Sequence, residues 1–523
     1  MMRWLANLIS LQEKRTFHGE TLVYFALFVG GMRLLLEFLL VGFDAQPVGE
    51  NLLLYVSWYW LCIFAFGLPV CLLSPPPWQA RINVMLVGLF LGFMPPLVDA
   101  LYSGWGGSIV GIDGFHYAYV TTFPDGWPWT MIAPRRQMPV GEGVVLWSAV
   151  GFTGAYMWLR TRSVASTVAA VVLSYAVCVS LGAIMPTILF RIATRSGVES
   201  AFVQVLIAGQ IVLALLLYLF AYRRPLALRL AARFVHAAPL VAMALVGFAW
   251  VNGLNSSAWQ PAVLIALCGL MTIAHNDHID DQEERPGEPE RVARHDVVFL
   301  TFTWAMTCWL LLEMGSLGAI VLLLYGLASY LYNAPIYRGK RYFPANLKLE
   351  GIWGGAAFLI GLVWALVPEL REAGPALYDA GALPASHRSQ APLAFVRGVD
   401  VPLAALLAAA GWSVLAALKD EKDVETDLRL GTQTVFTLAA RRGHDASAVR
   451  RVLQGVALAC MLLAAWLPLA LGRLPLAAAA AMTLLAVAAA LVRLRSPRAS
   501  FTLTLLLLTA LLTTLACSLE PPA

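Results

Sequence analysis

The sequence predicts an all-α integral membrane protein of about fifteen transmembrane helices. Three observations carry that expectation. Of 523 residues, 60% are hydrophobic and only 13% charged, and the mean hydropathy is +0.73, well beyond the usage of soluble domains. The apolar residues are gathered in successive runs of about 16 to 25, the length that crosses a bilayer core. The runs show no barrel-type alternation, so each reads as a helix that satisfies its own backbone groups in lipid.

In order, the runs lie at 21–43, 52–73, 82–101, 144–159, 164–189 and 201–222, then at 237–252, 261–275, 297–314, 317–332, 351–367, 401–418, 452–471, 474–492 and 501–517. The residues before the first run carry charges on both sides of a short apolar patch without a small-residue cleavage site, which reads as an interfacial leader. Short cytoplasmic loops collect Lys and Arg. With the N-terminus inside, Arg160 and Arg162, the stretch from Tyr222 to Phe234, the loop from Arg338, the segment from Arg441 to Arg451 and the segment from Arg493 to Arg498 all fall on the cytoplasmic side. The C-terminus falls outside. The expected location is a bacterial inner membrane.

A formal charge of +5 is small for this length and suits basic loops, not a nucleic-acid surface. The seven cysteines lie inside apolar runs, which argues against a disulfide framework or a zinc site. A basic linker near Arg223 divides the chain into residues 1–222, six spans without an assigned activity, and residues 223–523, nine spans that hold every motif. In the first part, Arg33 and Glu37 stand at i, i+4, spacing that suits an internal ion pair or a polar substrate path. The long outside loop 102–143, with Asp113, His116 and Trp127, reads as a segment that binds a ligand or lies on the membrane surface.

Chemistry concentrates in two acidic stretches. The first, HNDHIDDQEE from His275, puts Asp277, Asp280 and Glu284 on one face of a continued helix. Crowded carboxylates repel unless a cation or water screens them, and oxygen-only ligands suit Mg²⁺ or Ca²⁺. Taken alone, the stretch reads equally well as a solvated loop. The second, KDEKDVETD, places Lys419, Asp423 and Asp427 at i, i+4 and i+8, while Asp420 and Glu421 read as an ordinary salt-bridged face. Both stretches end spans on the cytoplasmic side, where they can face one cavity and hold Mg²⁺ against a diphosphate. Between them Arg338, Lys340, Arg341 and Lys348 form a basic loop suited to phosphate oxygens or to membrane anchoring.

These residues resemble the UbiA superfamily of intramembrane prenyltransferases. Its first signature, NDxxDxxxD, is matched by Asn276, Asp277 and Asp280, with Glu284 in the last place. Its second, YxxxKxxxDxxxD, is matched by Lys419, Asp423 and Asp427, with Leu415 where the Tyr would stand. Tyr332, Pro335, the basic loop, Gly431 and Thr434 also look like the family's. The resemblance covers about the last 300 residues and implies a nine-helix bundle. It implies Mg²⁺ on Asp277, Asp280, Glu284, Asp423 and Asp427, and substrate contacts at Asn276, Asn333, Arg338, Lys340 and Arg341. Catalytic roles fall to Lys419 and Tyr332. The implied reaction moves a polyprenyl group from its diphosphate to an aromatic or other lipophilic acceptor within the membrane lipid. A secondary transporter and a CDP-alcohol phosphotransferase are the alternatives; the former lacks a repeat between halves and the latter its run of Asp, Gly and Ala-Arg.

Overall fold

The computed structural model describes all residues except 1, 43–47, 75–76, 104–139, 187, 190–201, 256, 285–289, 315, 317, 335–336, 379–399, 492–496 and 520–523. The described residues are helical, without a strand. In chain order the helices are α1 (Met2–Glu13), α2 (Gly19–Glu37), α3 (Val48–Leu73), α4 (Trp78–Leu89), α5 (Pro95–Ser103), α6 (Val140–Thr161), α7 (Val164–Val179), α8 (Phe202–Leu217), α9 (Arg224–Arg233) and α10 (Ala238–Asn252). Then come α11 (Trp259–Glu284), α12 (Arg294–Glu313), α13 (Gly318–Asn333), α14 (Ala345–Tyr378), α15 (Asp400–Lys419), α16 (Val424–Leu430), α17 (Val435–Arg441), α18 (Ala446–Ala470), α19 (Leu476–Leu491) and α20 (Pro497–Ser518).

Eleven of the described helices are long and apolar enough to cross a membrane, or twelve if Arg224–His236 and Ala238–Val251, bent by 59°, make one span. The protein is thus built as an integral membrane protein. Of the four runs read from the sequence that are not among the eleven, 317–332 and 474–492 become the shorter apolar helices Gly318–Asn333 and Leu476–Ala489, 237–252 falls in the bent pair, and 144–159 lies within α6. The loop 104–139 and its Asp113, His116 and Trp127 lie outside the described residues.

The chain forms two compact units, residues 1–227 with 293–314, and residues 228–292 with 315–523. The first departure from the linker reading concerns α12, which the sequence grouped with the second part and which packs in the first unit. Aromatic packing and a buried charge explain it. Trp60 of α3 stacks on Phe299 of α12 at 5.1 Å, and Tyr218 stacks on the same ring at 3.8 Å. Asp296 is fully buried at the start of α12. It accepts from Arg223 Nε at 2.7 Å, from the Tyr218 hydroxyl at 2.6 Å and from the Ala293 amide at 2.8 Å. Arg33 and Glu37 are buried and form an ion pair at 2.5 Å, joined by the Tyr55 hydroxyl. That is the internal pair the spacing allowed, as lipid-facing segments require.

In the second unit α10 lies against α14 at a distance only small residues permit. A Cβ on Gly247 would stand 1.9 Å from the Phe358 carbonyl oxygen, and one on Gly361 would stand 1.8 Å from that of Ala244. Backbone cannot yield as a flexible side chain does. Gly361→Val should therefore lower stability by about 1–3 kcal/mol through overpacking, read as a lower thermal unfolding temperature in detergent. Gly143→Ala, where a Cβ meets nothing within 4 Å, should leave that temperature unchanged.

Candidate functional site

The first acidic stretch is the continuous C-terminal end of α11, a helix whose apolar N-terminal part forms a span. Its carboxylates do not converge on one point. Asp277 is 1% exposed and is held by Arg229 Nε at 2.6 Å and by Arg233 Nη1 at 2.9 Å, two residues one turn apart on α9. Asp280, one turn on from Asn276, accepts from the Asn276 amide at 2.6 Å and pairs with Lys340 at 2.5 Å. Asp281 turns the other way, taking the Arg291 amide at 2.8 Å and the Arg291 side chain, and so ties down the segment after the helix. Glu283 pairs with Arg338 and, at 3.0 Å, with Arg341. The Glu284 side chain lies outside the described residues.

The basic loop is therefore folded against the acidic helix end. It also reaches the second stretch, because the Gln433 amide donates to the Arg341 carbonyl at 2.8 Å. Beyond Gln433, Thr434 caps α17 by accepting from the Thr437 amide at 3.2 Å, and Gly431, with φ of 73°, ends α16 in the left-handed conformation. Thus Gly431 and Thr434 shape the loop that meets Arg341. Asn333 is fully buried and its amide donates to the Ser329 carbonyl at 3.2 Å. Pro335 lies outside the described residues.

The second stretch departs from a single helical stripe. Helix α15 ends at Lys419, a 3₁₀ turn occupies Asp420–Asp423, and α16 begins at Val424. The tighter turn changes which residues share a side. Glu421 pairs with Arg450 of α18, at 2.7 Å for one of the two bonds. Asp420, passed over in the motif reading, comes into the electrostatic company of Lys419, Glu350, Asp423 and Asp427.

Asn276 of the first stretch and Lys419 of the second line one cavity of about 110 Å³, together with Tyr332, Glu350, Trp353 and Arg233. On its wall Lys419 Nζ lies 3.5 Å from the Tyr332 hydroxyl, 3.4 Å from Glu350 Oε1 and 5.8 Å from the centre of the Tyr332 ring. Trp412 Nε1 donates to the other oxygen of Glu350 at 3.0 Å. Glu350, 4% exposed on α14, is the site residue no motif signalled. Its trace in the sequence is an acid immediately before the apolar run 351–367. Leu415 lines the cavity too. Leu415 also lines an adjoining apolar pocket of about 60 Å³ with Met243, Phe358, Met461 and Leu512.

Among the described residues no group of three His, Cys, Asp or Glu side chains is arranged to hold a metal ion by itself. The donors are nonetheless of the right kind for Mg²⁺, which usually takes one or two carboxylates and completes its shell with water and substrate phosphate. Carboxylates are donors of that kind, and in the structure Asp277 is paired with Arg229 and Arg233 and Asp280 with Lys340.

No family model, curated protein or solved structure matches the chain. What the fold defines is an all-helical membrane protein whose second unit gathers acids, bases and aromatics around one cavity.

Asp420 stands just beyond the apolar span. Burial pushes its carboxyl up to about 7, against the pull of Lys419 and with Asp427, Glu350 and Asp423 adding to the rise. The folded chain then holds this proton more tightly than the unfolded chain, so stability contributed here falls as pH rises from about 4 to about 7 and is level above that. Asp420→Asn should raise the unfolding temperature at pH 8 in EDTA, with the gain shrinking to nothing near pH 4. A gain that does not vary with pH would contradict this assignment.

Proposed function

We propose that the second part of the chain, which the sequence bounds at residues 223–523 and the structure gathers as residues 228–292 with 315–523, forms a UbiA-like prenyltransferase that uses Mg²⁺ to move a polyprenyl group from its diphosphate to an aromatic or other lipophilic acceptor. The observation that carries this reading is the meeting of Asn276 and Lys419, 143 positions apart in sequence, on the wall of one cavity beside Tyr332. The resemblance of the two acidic stretches to the family signatures names the chemistry. The expected setting is a bacterial inner membrane, with the N-terminus and the loops at Asn276, Arg338 and Lys419 cytoplasmic and the C-terminus outside, as the placement of Lys and Arg supports.

In this reading Asp277, Asp280, Asp423 and Asp427 would hold the metal, whose charge favours departure of the diphosphate. Glu284 is the remaining member of that ligand set. The chain supplies the rest. Lys419 and the loop residues Arg338, Lys340 and Arg341 offer ammonium and guanidinium donors for phosphate oxygens. Asn276 holds Asp280 in place by its hydrogen bond. The faces of Tyr332 and Trp353, with ring centres 5.0 Å apart, offer an aromatic wall for an allylic cation. Glu350 holds the Lys419 ammonium on that wall, and the adjoining apolar pocket suits the isoprenoid chain. Asn333, which is buried and bonds within α13 to the Ser329 carbonyl, supports that helix more directly than it meets substrate.

Diphosphate release from a polyprenyl diphosphate by the full-length protein in nanodiscs tests the reading. Asp277→Asn and Asp423→Asn should each lower turnover by about 100-fold or more, the rate equivalent of about 3 kcal/mol of lost charge stabilisation, and EDTA should do the same to the parent. Folded variants with full turnover insensitive to EDTA would remove the proposal.

A further inference from the structure

Asp277, the first acid of the proposed metal set, stands buried between two guanidinium groups. Arg229 and Arg233 occur at i, i+4 on α9, so both leave the helix on one face and reach one carboxylate, at 2.6 Å and 2.9 Å. Arg233 is in addition part of the cavity wall with Asn276 and Lys419, and its Nε is buried without a hydrogen-bond partner. A similar arrangement holds Asp280, which pairs with Lys340.

A divalent cation placed on the buried Asp277 would sit beside two like charges, which repel it. A diphosphate reverses the balance. It brings several negative charges, and its oxygens match the planar fork of donors that a guanidinium presents. From this arrangement, and resting on the prenyltransferase reading of the site, we infer that Arg229 and Arg233 exchange Asp277 for diphosphate oxygens, so that the site takes metal and diphosphate together and resists metal alone. The two arginines are then diphosphate-binding residues contributed by α9. They also guard the acid against occupation by a bare cation.

The test is calorimetric titration of the full-length protein in detergent with two probes, Mg²⁺ alone and magnesium inorganic diphosphate. The parent should bind the second probe and take up the first only weakly. Arg229→Gln and Arg233→Gln should each weaken magnesium diphosphate by about tenfold or more while tightening Mg²⁺ alone, opposite changes on the scale of ordinary site-to-site coupling. Arg229→Lys and Arg233→Lys keep the charge beside Asp277 and so the fold. They should leave Mg²⁺ alone as in the parent and still weaken magnesium diphosphate, because the planar fork is lost. Unchanged diphosphate binding in the Lys and Gln variants overturns the inference, and so does a loss of both probes together, the mark of a damaged site. Failure of the parent itself to bind magnesium diphosphate would instead overturn the reading of the site on which the inference rests.

Discussion

A carboxylate carried at the end of an apolar helix has to be neutralised, because neither lipid nor packed side chains can solvate it. In the second unit this requirement organises the elements around the cavity. Asp277 draws in α9 through Arg229 and Arg233, Asp280 and Glu283 draw in the basic loop, and Glu421 draws in α18 through Arg450. The Gln433 amide then joins the loop to the second acidic stretch. The same rule operates in the first unit, where Asp296 gathers Arg223 and Tyr218, and Arg81, fully buried, is paired with Glu13.

Neutralisation of this sort gives the site two electrostatic states. Without ligand, the acids and bases satisfy one another and the cavity wall is close to balanced. On the proposed function, an anionic donor and its metal would give each partner a second place to go. Pairs between groups of opposite charge, each with a separate role, therefore serve as both scaffold and reserve. In the first unit the buried pairs Arg33–Glu37 and Arg223–Asp296 read as internal to its packing.

The helical class was plain from composition and run length, and so were the acidic stretches, because spacing on a helix is a local property. Three features were not legible, each for a physical reason. The unit to which Arg294–Glu313 belongs depends on which aromatic faces it meets, and apolar runs look alike in sequence. The break at Asp420–Asp423 has no glycine or proline to announce it, so Asp420 was read as surface. Glu350 lies 69 positions from the Lys419 it holds, a distance at which spacing rules say nothing. Arg229 and Arg233 were visible as positive charge on the inner side, but positive charge near a membrane reads first as anchoring. Only their common target, Asp277, distinguishes them.

The contact between α10 and α14 bears on how the cavity could change shape. Where Gly247 and Gly361 let two backbones touch, neither helix can roll about its axis without driving one main chain into the other. Glu350 sits about 16 Å along α14 from Gly361, at 1.5 Å per residue, and so rides on a fixed rail. Another part of the cavity wall is Arg233 of α9, held by an ion pair with Asp277 at 2.9 Å, and charge can undo such a pair where it cannot move one main chain past another. The chamber is in this sense set by sterics where α10 meets α14 and by charge at Arg233, and only the second kind of contact answers to the charge of what enters.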